Sequence, residues 1–137
     1  MFHWSVNTIL RKEVGRLNLQ RFIVEIGTGA DLHGGDVTKA AQRAIKDAVS
    51  HSCLAGLIDI MGLKDPNEMH IHVKIACPNP EKLDQVEVLK SVPFGSTQLE
   101  AVPGGLSVRG LDLPALGEGD TIVVALAALT VFVDTDK

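Results

Sequence analysis

The chain has no tyrosine and one tryptophan among its 137 residues. A core made of stacked rings is therefore excluded, and Val, Ile, Leu and Ala must fill the interior. Cysteine is nearly as scarce: Cys53 and Cys77 stand apart without CxxC spacing. A secreted disulfide scaffold of this size carries more, so a reducing cytoplasm is the expected compartment. Both thiols sit among apolar neighbours and read as buried and inert. Positive charge is limited as well, with 13 Lys and Arg against 17 Asp and Glu and a net charge of −4. No basic cluster could neutralise a run of phosphates, which argues against a nucleic-acid partner. The longest apolar stretch, residues 122–133, falls short of the roughly 20 residues that cross a bilayer as a helix. No membrane partner is expected.

What is present fits one soluble domain, with 45% apolar and 22% charged residues. Residues 1–19 form no apolar h-region behind a basic start and so do not read as a secretory signal. Trp4, Ile9, Leu10, Val14 and Leu17 sketch a weak amphipathic helix. This stretch is expected to be an extension ahead of a single α+β domain at residues 20–137.

Within that domain, "RFIVEIG" alternates as a strand ending at Gly27. Asp36 is placed to cap a helix whose stripe is Val37, Ala41, Ala44, Ile45, Ala48 and Val49. A short helical piece follows over residues 54–60, then a turn at "KDPNE". Residues 69–77 alternate most clearly: Met69, Ile71, Val73, Ile75 and Cys77 share one face, and His70, His72, Lys74 and Ala76 the other. "PNPEKLDQVEVLKSV" predicts a second helix, residues 96–102 a third strand, and residues 106–109 a short strand-like piece. "TIVVALAALTVFV" is apolar on both faces, as a central strand covered on both sides must be.

The expected order is β-α-β-α-β-β, a four-stranded mixed sheet with two helices on one face. Two helices leave the other face bare, and a second copy of the chain is the simplest cover. A homo-oligomer follows as an expectation, as a trimer or a multiple of one. The order is similar to the trimeric chorismate-mutase-like fold, which places ligands between subunits.

The chemistry concentrates in "GTGADLHGGD", residues 27–36. A glycine-rich connection between strand and helix offers free backbone N–H groups to a small polar or anionic molecule, with Gly27, Gly29, Gly34 and Gly35 as the binding positions. Nucleotide fingerprints fail here. The sixth position of GxGxxG is Leu32, and no GxxxxGK[ST] occurs, so any cofactor stays unidentified. Asp31 and His33 are the candidate acid–base pair, because a carboxylate beside an imidazole fixes its tautomer and raises its basicity. Lys74 could meet an anionic or carbonyl group at a subunit boundary, with His72 beside it as a ligand contact. A metal at His70 and His72 is disfavoured. His72 lies about 16 Å from its strand's carboxyl end at 3.3 Å per residue, away from the glycine motif. The alternatives are a non-catalytic module that binds a metabolite and a structural homo-oligomer whose glycine loop only packs.

"GTGADLHG", "GGDVTKAAQRAIKDAV" and "MHIHVKIACP" resemble the Lin family of conserved hypothetical proteins, found in bacteria and, with long N-terminal prefixes, in plants. The resemblance covers roughly residues 20–134. It implies Gly27, Gly29, Asp31, His33 and Gly34 as signature positions and implies no reaction. "DVTKAA" and "HIHVKIACP" are also similar to pieces of one repeat of the ring-opening amidohydrolases. Those enzymes act on cyanuric acid or barbiturate, which would imply hydrolysis of a cyclic amide. Their Ser–Lys pairs have no secure place on this chain.

Overall fold

In the computed structural model, which describes residues 18–136, the chain runs β1 (Leu19–Asp31), α1 (Val37–Ser50), α2 (Ala55–Asp59), β2 (His70–Cys77), α3 (Gln85–Leu89), β3 (Ser96–Pro103), β4 (Leu106–Arg109) and β5 (Thr121–Asp134). The expectation of an N-terminal helix at Trp4 to Leu17 lies outside the described residues. The strands form one mixed sheet in the order β1-β5-β2-β3, with β4 also paired to β5. β5 runs antiparallel to β1, β2 and β4, whereas β2 and β3 are parallel. β2 takes residues 126–132 of one β5 edge, and β4 takes residues 121–124. The doubly apolar strand thus has hydrogen-bonded neighbours on both edges.

Alternation decides what each face meets. Val123, Ala125, Ala127, Leu129, Val131 and Val133 of β5 are buried, as are Ile71, Val73, Ile75 and Cys77 of β2. They form the core with α1, with Leu57 of α2 and with Val88 of α3. Asp36 caps α1, its carboxylate accepting the Lys39 N–H at 3.1 Å. Ala40, Ala44 and Ala48, four residues apart and fully buried, give α1 a flat side. β1 comes down onto that side. A Cβ on Gly27 would fall 3.0 Å from the Ala48 Cα and nearer still to the Ala44 oxygen. A Cβ on Gly29 would fall 2.7 Å from the Arg43 carbonyl carbon and inside that distance of Ala44 N and Ala40 O.

The opposite sheet face is apolar and open along β1, β4 and the first part of β5, whereas Phe132 farther along β5 is buried. Val24, Ile26, Leu126, Leu106 and Val108 are all exposed there, Ile26 by 58% and Leu106 by 55%.

The structure corrects four expectations. β1 does not end at Gly27 but continues through Asp31, because the two glycines let an extended chain lie directly against a helix. The sheet has five strands, since residues 106–109 pair fully with β5. The second long helix is instead a 3-10 turn at Pro80–Lys82 and the short α3. Leu83 is extended, and the Asp84 carboxylate starts a new helix by accepting the Glu87 N–H at 3.2 Å. Cys77 is buried, but Cys53 is exposed in the connection between α1 and α2.

Candidate functional site

Asp31 ends β1 on the helix side of the sheet and is 9% exposed. Its Oδ2 accepts the Gly34 N–H at 3.2 Å and the Asp36 N–H at 2.9 Å. The Arg43 guanidinium stands 3.6 Å from Oδ1 and donates to the Ala30 carbonyl at 2.6 Å. The turn is also held from β5. Gly35, at φ +61°, donates to the Thr121 carbonyl at 3.1 Å, and Gly34 bridges to the same residue. Asp31 therefore places a carboxylate of the chain itself at the amide-rich start of α1, where the helix dipole favours negative charge.

His33 sits on this turn with its Nδ1 buried and, among the described residues, without a hydrogen-bond partner. The loop between β4 and β5 passes over it: a Cβ on Gly117 would lie 3.7 Å from the His33 Cβ. Gly117 and Gly119 both adopt positive φ, which lets the loop bend tightly over the His33 Cβ and backbone. A buried ring nitrogen without a partner costs about 1–3 kcal/mol.

His72 and Lys74 are elsewhere. Both project from the sheet face opposite α1, at a covered end of it, where Thr130 and Ala128 are their β5 register partners. Glu100 of β3 joins them, with its Oε2 3.5 Å from the His72 Nε2. His72 is 5% exposed. Burial, reinforced by the Lys74 ammonium, holds its pKa below the ordinary 6.5. At neutral pH the ring therefore meets Glu100 as a neutral imidazole.

The structure brings Asp31, His33, Gly34 and Gly35 together in one turn. Lys74 and His72 project on the other side of the sheet from Asp31. Gly27 and Gly29 lie under α1, where packing accounts for the absence of side chains. Three residues that complete these clusters carried no pattern in the sequence: Arg43, Thr121 and Glu100. Arg43 could have been suspected, since it falls on the α1 side nearest the strand. Thr121 acts through its carbonyl, which no side-chain motif reports. Among the described residues, no helix is long and apolar enough to cross a membrane.

The profile of the family described as "Conserved hypothetical protein (Lin0512_fam)" matches residues 21–131. A crystal structure of an FtsZ-like protein of unknown function from Nostoc punctiforme is 40% identical, with a TM-score of 0.79, over 86% of this chain and 98% of that one. A mutant FtsZ from M. jannaschii aligns at 13% identity and a TM-score of 0.37, over 94% of this chain and 40% of that one. No curated protein matches. Neither the family match nor these two structures carries the amidohydrolase similarity.

Proposed function

The chain belongs to the Lin0512_fam family of conserved hypothetical proteins, and from that premise we propose that it is a homo-oligomer that holds a small polar metabolite at the turn of residues 31–36. The observation that carries this reading is the buried, unpartnered Nδ1 of His33. A hydroxyl or amide of a ligand would satisfy it. Asp31 then acts by position: its bonds to Gly34 and Asp36 fix the turn that presents His33. Because those bonds use two amides that an anion would otherwise take, a neutral polar ligand fits better than an anionic one.

The oligomer is supported by the open face, where Val24, Ile26, Leu106, Val108 and Leu126 stay exposed. Contiguous apolar surface of this kind is normally covered in solution. A trimer, as in the chorismate-mutase-like fold, is the expected size. Hydrolysis of a cyclic amide asks for more, since Lys74 projects from the far side of the sheet and would have to come from another copy.

Native mass spectrometry of the freshly purified protein tests both parts. The expected result is a closed oligomer carrying a bound small molecule. His33→Ala should lose that molecule while melting within a few degrees of the parent, the range of about 1 kcal/mol for a domain this size. Ile26→Asp should release folded monomers. A stable monomer for the parent chain would refute the assembly. A His33→Ala protein that melts far lower, from a parent that carries no ligand, would favour the second reading of a purely structural turn. That reading draws on the packing of Gly27 and Gly29 against α1.

A further inference from the structure

A cavity of about 240 Å³ opens on the helix side of the sheet, walled by Leu57 and Leu63 around α2, by Met69 and Ile71 at the start of β2, and by Leu129 and Val131 of β5. Ile58 and Phe94 also line it, and both are exposed, so they flank its mouth. Among the described residues, the lining is aliphatic or aromatic with two exceptions. Ser52 already donates its hydroxyl proton to carbonyls at the end of α1, 3.2 Å from Val49 O and 3.3 Å from Ala48 O. The other is Glu25 of β1, half-buried in the wall. Among the described residues, no hydrogen bond or ion pair reaches its carboxylate.

We propose that this cavity binds a small apolar amine, with its hydrocarbon body against the Leu57–Met69–Leu129 walls and its ammonium group on Glu25. Size and charge both point this way. A dry apolar cavity of about 150 Å³ accepts a benzene ring, so this larger one has room for a ring and a short cationic arm. A half-buried carboxylate on an otherwise apolar wall is a point of negative charge beside the hydrocarbon body of a ligand, and a cation there can make a charge-assisted hydrogen bond. An anion would be repelled, and a neutral hydrocarbon would leave Glu25 unpaired. The site is separate from the turn at His33: Glu25 and Asp31 are six residues apart on β1, about 20 Å at 3.3 Å per residue.

Isothermal titration with phenethylammonium chloride, and with 2-phenylethanol as its uncharged counterpart, tests the assignment on the full chain. The amine is expected to bind and the alcohol to bind about tenfold more weakly or worse, the scale of one charge-assisted contact. Glu25→Gln, which keeps the shape of the side chain, should bring the amine down to the level of the alcohol. Val92→Trp, which adds bulk to the cavity wall, should remove binding of both. The proposal is overturned if the alcohol binds as well as the amine, if Glu25→Gln leaves amine affinity unchanged, or if millimolar amine gives no heat that Val92→Trp abolishes. His33→Ala should not alter any of these titrations.

Discussion

Replacing Gly29 by alanine asks whether β1 and α1 are in backbone contact, the feature that shapes everything around the signature motif. Gly29 does not have positive φ, so the added methyl costs nothing through backbone strain. Its cost is collision. The new Cβ would lie 2.7 Å from the Arg43 carbonyl carbon, with Ala44 N and Ala40 O closer, whereas ordinary contact begins near 3.4 Å. All three atoms are helix backbone and cannot rotate away, so α1 must lift from the sheet by roughly 1 Å. That movement loosens Ala40, Ala44 and Ala48, each fully buried. Overpacking of a tight core costs about 1–3 kcal/mol and sometimes more, and a backbone-on-backbone clash belongs at the upper end. At roughly 3–6 °C per kcal/mol for this chain length, the midpoint should fall by about 10–15 °C. Two neighbours calibrate the result. A Cβ on Gly34 meets nothing nearer than 3.6 Å, so Gly34→Ala should stay within about 0.5 kcal/mol. Gly35 has room but sits at φ +61°, so Gly35→Ala should lose about 1–2 kcal/mol through the left-handed backbone alone. Thermal and urea melts of the three variants should therefore rank 29, 35, 34 in order of damage. Equal effects, or a Gly29→Ala protein melting like the parent, would refute the contact and the packing explanation of the motif.

Two further outcomes follow from the site. Asp31→Ala leaves the Gly34 and Asp36 amides without their acceptor and should cost about 2–3 kcal/mol in a urea melt; Asp31→Asn, which keeps one carbonyl oxygen, should cost less, and equal losses would mean that charge rather than acceptance holds the turn. His72 has a folded pKa below its ordinary 6.5, so the unfolded chain takes up a proton first as pH falls through 6.5 and the folded state loses stability from there downward. The midpoint of the parent should drop more steeply below pH 6.5 than that of His72→Gln, and parallel profiles would show that His72 titrates alike in both states.

Much of the architecture was legible because hydropathy reports it. The alternation at residues 69–77, the doubly apolar β5 and the Asp36 cap each follow from side-chain pattern and match the chain as folded. "GTGAD" was not legible as strand, since glycine carries no hydropathy and its abundance suggests a loop. Only the flat alanine side of α1 explains it, and that requires knowing which helix meets which strand. The same gap affected the site. Asp31, His33 and Lys74 are all plausible chemical groups, but the face each one occupies depends on β1 running through Asp31. Once that continuation is known, Asp31 and Lys74 project from opposite sides of the sheet. His33 was named for its chemistry alone, and the unpartnered Nδ1 is a fact of packing that no spacing rule encodes.

The placement of β5 also governs when the molecule can form. Leu19 pairs with Asp134 and Ile26 with Ala128, so β1 waits for a partner about a hundred positions later in the chain. Before β5 arrives, β1 and β2 share no ladder; α1 can rest only loosely on one strand, and β2 and β3 make a separate two-stranded ribbon. Closing so long a loop is entropically costly and slows the final step. A growing polypeptide would therefore hold two incomplete halves with bare strand edges until β5 slides between them. Truncating a buried β5 residue such as Val131 should therefore lower stability mainly by speeding unfolding, and a nascent chain paused before Thr121 would expose the unpaired edges of β1 and β2.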